Sequence, residues 1–445
     1  MITSLLIKNF KSIEDSGNLE LKPLTIFTGP NASGKSNILE ALAVLAQTAR
    51  LPGNIQHSLD MSLTHGEFVK YPYRPVDYVA HKRETTRSIS FELHIKPRER
   101  TIRRITQIEQ KHPEVSKFIS RERISSIGYE YSYNPITEEA FNRIFIEEKK
   151  IFEVSSVLAP TYSGRKDLVT YPEEYSELST KEPATLMLNE LCFVLMRGPQ
   201  IVDGPPAELA RSVLADIAEN LSRVYFIKAF RGGVELPVKA REEPSWVGKN
   251  GEHLVEILAL CFSRKEYSAK ADGINEWAQK FGVGSMKAGW WGKDELGSDF
   301  EDPTLKTVLN TVLASFGSKQ VLSIVTQLFW SEPGDLIMIE EPEISLHPES
   351  QVLLQDLFAT AIKDGKQIMY STHSPFLILA LSKVIKKRKL SRDDIVVYHV
   401  EKGDAGTKVK QLELDERGFV TGWIPSYLKV ENELFDEWAE SLEKA

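Results

Sequence analysis

The chain has 445 residues, 42% of them hydrophobic and 27% charged, which is enough apolar material to form the core of a protein with two or three lobes. The formal net charge of −8 excludes a globally basic surface, so any contact with nucleic acid has to come from a local patch. No stretch approaches the roughly 18 to 20 apolar residues that cross a bilayer. Cys192 and Cys261 lie in apolar runs that predict buried thiols in helices. We therefore expect a cytoplasmic protein with no membrane partner.

The N-terminal part predicts two short strands, Ser4 to Ile7 and Leu24 to Thr28. The second strand runs directly into the segment GPNASGKS, and from Asn37 onward apolar residues recur at helical spacing. Alternating polar and apolar residues then predict three antiparallel strands, at 88–95, 127–133 and 143–152.

The middle of the chain, from about Pro183 to Gln320, is predicted to be mostly helical, with Gly/Pro-rich joints such as RGGVELP. From Asp335 onward, short buried strands alternate with helices, so we expect an α/β core split by a helical insertion. Residues 1–155 would hold the first part of this core with an antiparallel β lobe. Residues 156–320 would form the helical lobe, and residues 321–445 would complete the core.

The strongest motif is GPNASGKS, which matches G-x-x-x-x-G-K-[ST] between a predicted strand and a predicted helix, the context of a phosphate-binding P-loop. Its glycines let the backbone bend so that N–H groups and the helix N-terminus face phosphate oxygens. Lys35 is expected to reach the β and γ phosphates, and Ser36 to place its hydroxyl on Mg²⁺. The predicted nucleotide-binding residues are Gly29, Pro30, Asn31, Ala32, Ser33, Gly34, Lys35 and Ser36.

The segment LIMIEE, residues 336–341, predicts a buried strand that ends in two carboxylates. We expect Glu340 to hold Mg²⁺ through water and Glu341 to act as general base on the attacking water. Such a run can also be a plain strand end, but a P-loop in the same chain favours the catalytic interpretation. A second strand, Gln367 to Ser371, leads to His373, which could sense the γ-phosphate by a hydrogen bond. A single histidine is more often structural.

Taken together, GPNASGKS, SFGSKQ, LIMIEEPEISLHPESQ and STHSP resemble the ABC-type ATPases of the RecF, SMC and OLD group. They are most similar to prokaryotic AAA family ATPases with an IEEPE and LHP block, many of which occur in antiphage defence systems. The resemblance covers both ends of the chain and the segment Gly248 to Leu254, while residues from about 50 to 240 carry no motif that aligns. It implies an α/β P-loop NTPase fold, the ABC ATPase head, with an antiparallel β subdomain and an inserted helical lobe.

The resemblance also implies a signature segment at Ser315, Gly317 and Gln320, which in the family contacts the γ-phosphate bound by the other protomer. SFGSKQ is a loose match to the usual LSGGQ. The region of His347 replaces the aspartate of the usual D-loop, and Glu340 replaces the metal-site aspartate. No glutamine of a Q-loop can be placed, although Gln56 and Gln107 are candidates.

By this resemblance the protein binds and hydrolyses ATP with Mg²⁺ and forms a homodimer through its ATP-bound heads. The dimer would be a switch that controls DNA binding or a separate effector, such as a nuclease, in DNA repair or antiphage defence. The chain has no Asn-Lys dipeptide for a GTPase base-recognition box and lacks the H-R-D and D-F-G of protein kinases, so ATP is favoured. The alternative is an ATP-regulated component of an OLD-type nuclease whose cutting activity comes from a partner.

Two further features concern partners. The segment 96–123 carries nine Lys and Arg against four Glu, a local charge of +5 that could grip a phosphate backbone or form a solvated face. It is too short for the coiled-coil arm of an SMC protein. Trp290 and Trp291 could stack on a base, but packing in the core or an interface is more common for tryptophan.

Overall fold

A computed structural model describes residues 1–50, 59, 63–64, 66–71, 75–117, 119, 124–137, 139–157, 166–170, 185–189, 192–197, 200–201, 205–234, 236–239, 243–421, 424, 427 and 433–434. The chain divides into two compact units. Unit 1 comprises Met1–Leu21, Ser36–Val224 and Lys402–Val409, and unit 2 comprises Lys22–Lys35, Tyr225–Glu401 and Lys410–Ala445.

Within the described residues, unit 1 contains an eight-stranded antiparallel sheet in the order β2-β1-β5-β6-β7-β8-β9, with β3 paired to β1. Apolar side chains of β5 and β6 are buried, as the alternating pattern of these segments predicts. The strands are β1 (Ile2–Phe10), β2 (Ile13–Asp15), β3 (Leu19–Glu20), β5 (Ile89–Ile95), β6 (Ile127–Asn134), β7 (Glu139–Ile146), β8 (Lys149–Val157) and β9 (Lys166–Thr170). A smaller sheet contains β10 (Thr185–Asn189), β11 (Cys192–Arg197) and β12 (Gln200–Ile201).

The helices of unit 1 are α1 (Lys35–Arg50), whose first residue is assigned to unit 2, α2 (Pro75–Val79), α3 (Glu99–Lys111) and α4 (Pro205–Ser222). Helix α1 begins at the last residues of the predicted P-loop, and Glu40 on its second turn forms an ion pair with Lys11. At its other end, Arg50 donates from Nη2 to the carbonyl oxygens of Ser222 at 2.9 Å and Val224 at 2.5 Å.

Unit 2 is organised by a six-stranded sheet among the described residues, in the order β13-β18-β19-β4-β20-β21. Strands β18, β19, β4 and β20 are parallel, and β18, β19 and β4 are buried along their whole length. The strands are β4 (Leu24–Thr28), β13 (Val224–Ile227), β18 (Leu336–Glu340), β19 (Gln367–Thr372), β20 (Ile395–Lys402) and β21 (Thr407–Leu412).

The helices of unit 2 are α5 (Leu254–Ser263), α6 (Ser268–Lys280), α7 (Phe316–Trp330), α8 (Pro348–Lys363) and α9 (Pro375–Lys386). Side chains of Ser315, His347 and Ser374 cap α7, α8 and α9, and proline occupies the first turn of the last two helices, where its missing N–H costs nothing. A further antiparallel sheet contains β14 (Val238–Lys239), β15 (Ser285–Trp290), β16 (Glu295–Glu301) and β17 (Val308–Asn310).

Several sequence predictions need correction. The region 156–320 is not mostly helical, because it also contains strands β9 to β17, with β15 and β16 forming a hairpin. Cys192 begins strand β11, whereas Cys261 lies buried in helix α5 as predicted. Trp290 and Trp291 are both exposed at the β15–β16 turn, so they do not pack in the core of this chain. Among the described residues, no helix has the length and apolar content needed to span a membrane.

Candidate nucleotide-binding site

The candidate site lies at one edge of the unit 2 sheet, where parallel strands end together. Glu340 ends β18 and pairs in register with Ser371 of β19, while Thr372 pairs with Thr28 of β4. The predicted P-loop follows Thr28 directly, and His373 follows Thr372. Because parallel strands present their carboxyl ends at the same edge, this sheet brings together the P-loop, the acidic strand end and the histidine.

The P-loop backbone has the bends that a phosphate cradle requires. Gly29 has φ 149° and Gly34 has φ 107°, and Ala32 adopts φ 56°, an uncommon value for a residue with a side chain. A Cβ atom at Gly29 would lie 2.0 Å from the carbonyl oxygen of Val400, so glycine is obligatory there. Ser36 is the second residue of α1 and is partly buried.

Lys35 is a buried cation whose hydrogen-bond acceptors are neutral carbonyl oxygens. Only 5% of the residue is exposed, and its Nζ donates to the carbonyl oxygens of Gly29 at 3.0 Å and Pro30 at 2.7 Å. In the part of the chain that the structure describes, no carboxylate forms an ion pair with it. Burial lowers the pKa of Lys35 to about 8, against the opposing charges of Glu341 and Glu343. A buried ammonium bonded to carbonyls fits an anionic phosphate, which would supply the missing counter-charge.

Glu341 and His373 face each other beside this cation. Glu341 Oε1 lies 3.7 Å from His373 Nε2, and each side chain is about one third exposed. Burial and the Lys35 charge lower the pKa of His373, so its imidazole is neutral at pH 7 and offers one donor and one acceptor. Both side chains can therefore form hydrogen bonds with solvent water at this edge of the sheet.

Glu343 holds the backbone of His373 in place. Its Oε1 accepts from Thr372 Oγ1 at 2.8 Å and from the His373 N–H at 2.7 Å, while the Tyr427 hydroxyl donates to the His373 carbonyl at 2.5 Å. Burial raises the pKa of Glu343. Its Oε2 is buried and has no hydrogen-bond partner among the described residues, which marks a position where a bound water or ligand group would be favourable.

The fit of Mg²⁺ depends on where its ligands come from. The described residues contain no group of three or more His, Cys, Asp and Glu that could hold a metal ion by themselves. Mg²⁺ in nucleotide sites takes one or two protein ligands and completes its shell with water and phosphates. Glu340, at the end of β18 and 9% exposed, suits that role. Ser36 belongs to unit 1, and its hydroxyl as a second ligand stays a prediction.

The three signature residues have different environments. Ser315 is exposed at the N-terminus of α7, where its Oγ accepts from the Ser318 N–H at 3.1 Å. A Cβ atom at Gly317 would lie 2.4 Å from the carbonyl oxygen of Ser345, so the first turn of α7 packs closely on the turn after β18. Gln320 is fully buried, and its Oε1 accepts from the Arg231 N–H at 3.3 Å. The Gln320 side chain is thus bonded inside the fold of its own chain, and its contact with nucleotide stays a prediction.

Sequence reasoning missed Arg231, whose Nη1 donates to the carbonyl oxygen of Glu340 at 2.9 Å and whose Nη2 donates to that of Glu341 at 3.1 Å. The only signal was an arginine before two glycines just after a strand, which we interpreted as a joint. For the Q-loop, Gln107 lies on α3 of unit 1, and Gln56 lies outside the described residues.

Comparisons with known proteins identify the family. Residues 24–380, well over half of the chain, match the AAA_21 family, described as "AAA domain, putative AbiEii toxin, Type IV TA system". The chain belongs to this family. It is 23% identical over 431 residues to the OLD nuclease of Thermus scotoductus, a match that covers 91% of this chain and 65% of that protein's length.

The fold is that of an SMC head. A crystal structure of an Smc head bound to the C-terminal winged-helix domain of ScpA matches with a TM-score of 0.50 and 12% identity, covering 93% of this chain and 98% of that one. The chain thus has the P-loop NTPase fold, with the α/β core and antiparallel sheet predicted from its motifs.

The lowered pKa of Lys35 predicts how ATP affinity depends on pH. Phosphate keeps the ammonium charged, so affinity should be flat with respect to Lys35 below pH 8 and fall about tenfold per pH unit above it. Isothermal titration calorimetry between pH 7 and 9.5 measures this. Lys35→Arg is the control, because arginine stays charged and should remove the dependence, whereas Lys35→Ala should weaken binding at least about 100-fold. Wild-type affinity in Lys35→Ala would disprove the P-loop assignment.

Proposed function

We propose that the protein binds ATP and Mg²⁺ at the unit 2 sheet edge and hydrolyses the ATP, and that two copies join around the nucleotide. The observation that supports ATP chemistry is the buried Lys35 ammonium, which has no carboxylate partner among the described residues and lies beside the edge that carries Glu341. Neutral carbonyls alone compensate a buried charge poorly, so this cation is a site for phosphate.

Each residue of the edge then has a chemical role. The N–H groups of the P-loop and Lys35 bind the phosphates, and Ser36 and Glu340 hold the Mg²⁺, which neutralises phosphate charge when bound. Glu341 accepts a proton from the attacking water. His373, neutral at pH 7, hydrogen-bonds to the γ-phosphate, and Glu343 and Tyr427 fix the backbone from which it projects.

The exposed end of α7 supports a homodimer. The helix has 15 residues, and its N-terminus at Ser315 presents N–H groups and the positive end of the helix dipole to solvent. Exposed apolar residues lie near Ser315 in sequence, namely Val312, Leu313, which is 68% exposed, and Phe316. Phe230, which packs on Phe316, is 72% exposed. The Phe230 and Phe316 rings lie 5.4 Å apart. Contiguous exposed apolar groups are typical of interaction surfaces, and here they frame an anion-binding helix end.

ATP bound to one copy and touched by α7 of the other would strengthen association, and hydrolysis would release it. The dimer would thereby control DNA binding or a separate effector in DNA repair or antiphage defence. Similarity to the OLD nuclease favours a second candidate, in which this chain is the ATPase component of a nuclease and a partner supplies the cutting activity.

Glu341→Gln should bind ATP with near wild-type affinity but hydrolyse it at least about 100-fold more slowly, because the amide keeps the shape and loses the base. The trapped ATP should then hold a dimer in sedimentation velocity, whereas ADP and nucleotide-free protein should remain monomeric. Unchanged turnover would move the base to another residue, for which Glu343 is the nearest candidate.

Ser315→Arg tests the partner contact in the same background. It should abolish the ATP-dependent dimer and leave ATP binding to the single head intact, since the P-loop is unchanged. Lys265→Glu, an exposed charge change elsewhere in unit 2, is the matched control and should leave the dimer as it is. A monomer in all nucleotide states would refute the composite site, and a dimer equally stable in all states would assign the interface to another surface.

The basic segment 96–123 is less available for DNA than its composition suggests. Ion pairs join Arg98 and Arg100 to Glu219 of α4, and Lys111 lies 3.8 Å from Glu208. Arg103 pairs with Glu99 at 3.1 Å on an exposed face, where such a pair adds little, and residues 120–123 lie outside the described part of the chain.

If this segment binds DNA, the double change Arg103→Glu and Arg104→Glu should weaken binding equally for all sequences and reduce its salt dependence. Fluorescence anisotropy over a salt series, with and without ATP, measures this. The control is the double change Lys265→Glu and Lys306→Glu in unit 2, which has the same charge difference and should have no effect. Wild-type protein that binds no DNA at low salt in either condition would make the segment a solvated face.

A further inference from the structure

Arg231 is a fully buried arginine whose guanidinium donates to main-chain oxygens. Its residue exposure is 0%, and the described residues offer it no ion pair. Besides Glu340 and Glu341, its acceptors are the carbonyl oxygens of Lys228 at 3.0 Å, Ala229 at 3.2 Å and Gln320 at 3.4 Å. Burial lowers the pKa of Arg231 to about 10, so the side chain is still charged at pH 7. A charged donor in this position is expensive to bury, and its geometry is set by the carbonyls around it.

These contacts join three segments of unit 2. The first is the loop that carries Arg231 itself, and the second is the end of β18. The third is helix α7, which is bonded to Arg231 three times: Nε donates to Gln320 O, the Arg231 N–H donates to Gln320 Oε1, and Ser323 Oγ donates to Arg231 O at 2.9 Å. Arg231 is therefore a direct bridge between the helix that begins at Ser315 and the strand that ends at Glu340.

The backbone on the β18 side is strained. Glu341 has φ 43°, a left-handed conformation that is unfavourable for a residue with a side chain and persists only where surrounding contacts enforce it. Three hydrogen bonds enforce it here: the Glu341 N–H donates to Ser371 O at 2.9 Å, and the Glu341 carbonyl accepts from the Ile344 N–H at 3.2 Å and from Arg231 Nη2 at 3.1 Å. The direction of the Glu341 carboxylate thus depends on Arg231. Gly317, in the first turn of α7, packs against Ser345, which belongs to the same turn after β18 as Glu341.

We propose that Arg231 is a positioning residue that couples the N-terminal end of α7 to the Glu341 turn, so that a second copy docking at Ser315 sets the orientation of the general base. This inference rests on the proposed ATP-dependent dimer. When the partner docks, it holds α7 in one position. Through its hydrogen bonds, Arg231 passes this restraint from α7 to the Glu340 and Glu341 carbonyls, and the Glu341 carboxylate is thereby fixed for proton transfer.

The test compares wild type with Arg231→Lys, because lysine keeps the charge but its single ammonium cannot span carbonyls on three segments. In Arg231→Lys, ATP affinity and the ATP-dependent dimer should stay within about twofold of wild type, while kcat falls at least tenfold at unchanged KM. Arg50→Lys is the matched control, since Arg50 also donates to main-chain carbonyls but lies in unit 1, and it should retain full turnover. A wild-type kcat in Arg231→Lys would overturn the proposal.

Amide hydrogen exchange separates this proposal from the dimer itself. Without nucleotide, Arg231→Lys should increase exchange together in segments 316–320 and 340–346, and Arg50→Lys should change neither. Unchanged exchange in both segments would refute the bridge even if the protein never dimerises. A wild-type chain that neither dimerises nor hydrolyses ATP would refute only the proposed function.

If Arg231→Lys does not fold, Ser323→Ala removes one bond of the same bridge and should lower kcat about threefold, whereas an unchanged kcat would contradict the coupling.

Discussion

The parallel pairing of β18, β19 and β4 is the constraint on which the candidate site depends. It aligns Glu340 with Ser371 and Thr372 with Thr28, so the acidic turn, the histidine and the P-loop leave the sheet at one edge. A shift of register by one residue would turn alternate side chains to the opposite face and move the carboxylates away from Lys35. Such a shift is costly, because each of these three strands is buried along its whole length.

The electrostatics of the edge follow from this geometry. Lys35 is buried beside Glu341 and Glu343, whose charges partly offset its desolvation, and its own charge lowers the pKa of His373. Lys35 Nζ donates to the carbonyl oxygens of its own loop, and no carboxylate among the described residues forms an ion pair with it. An anion that enters the loop would therefore replace weak neutral contacts with a full counter-charge.

The sequence predicted the parts of the fold that depend on local pattern. GPNASGKS and LIMIEE were recognisable because loop bending and strand burial each require particular residue types at fixed spacing. The strands β14 to β17 were missed for two reasons. The helical spacing of apolar residues is strong in this region, as in LVEILALCF, and the short strands contain glycine and charged residues, as in KAGWWGKDELG. Their pairing is a tertiary property that overrides weak local preference.

Arg231 and Gln320 show why part of the site could not be predicted. Arginine in a loop is usually solvated, and glutamine in SFGSKQ was interpreted by its resemblance to the signature of ABC proteins. Their contact joins positions 89 residues apart in sequence, and no local pattern indicates it. In the structure both residues are buried and bonded to each other: the arginine bridges to the Glu341 turn, and the glutamine is one of its supports.

The central claim is that the α7 end of one copy reaches the P-loop of another when ATP is bound. Site-specific cross-linking tests it most directly, with one Glu341→Gln copy carrying Asn31→Cys in the exposed loop and a second carrying Ser318→Cys in the first turn of α7. The account predicts a disulfide-linked dimer in the mixture with ATP, and none with ADP or with either cysteine variant alone. A mixture that gives no cross-link with ATP, or the same yield with ADP, would contradict it.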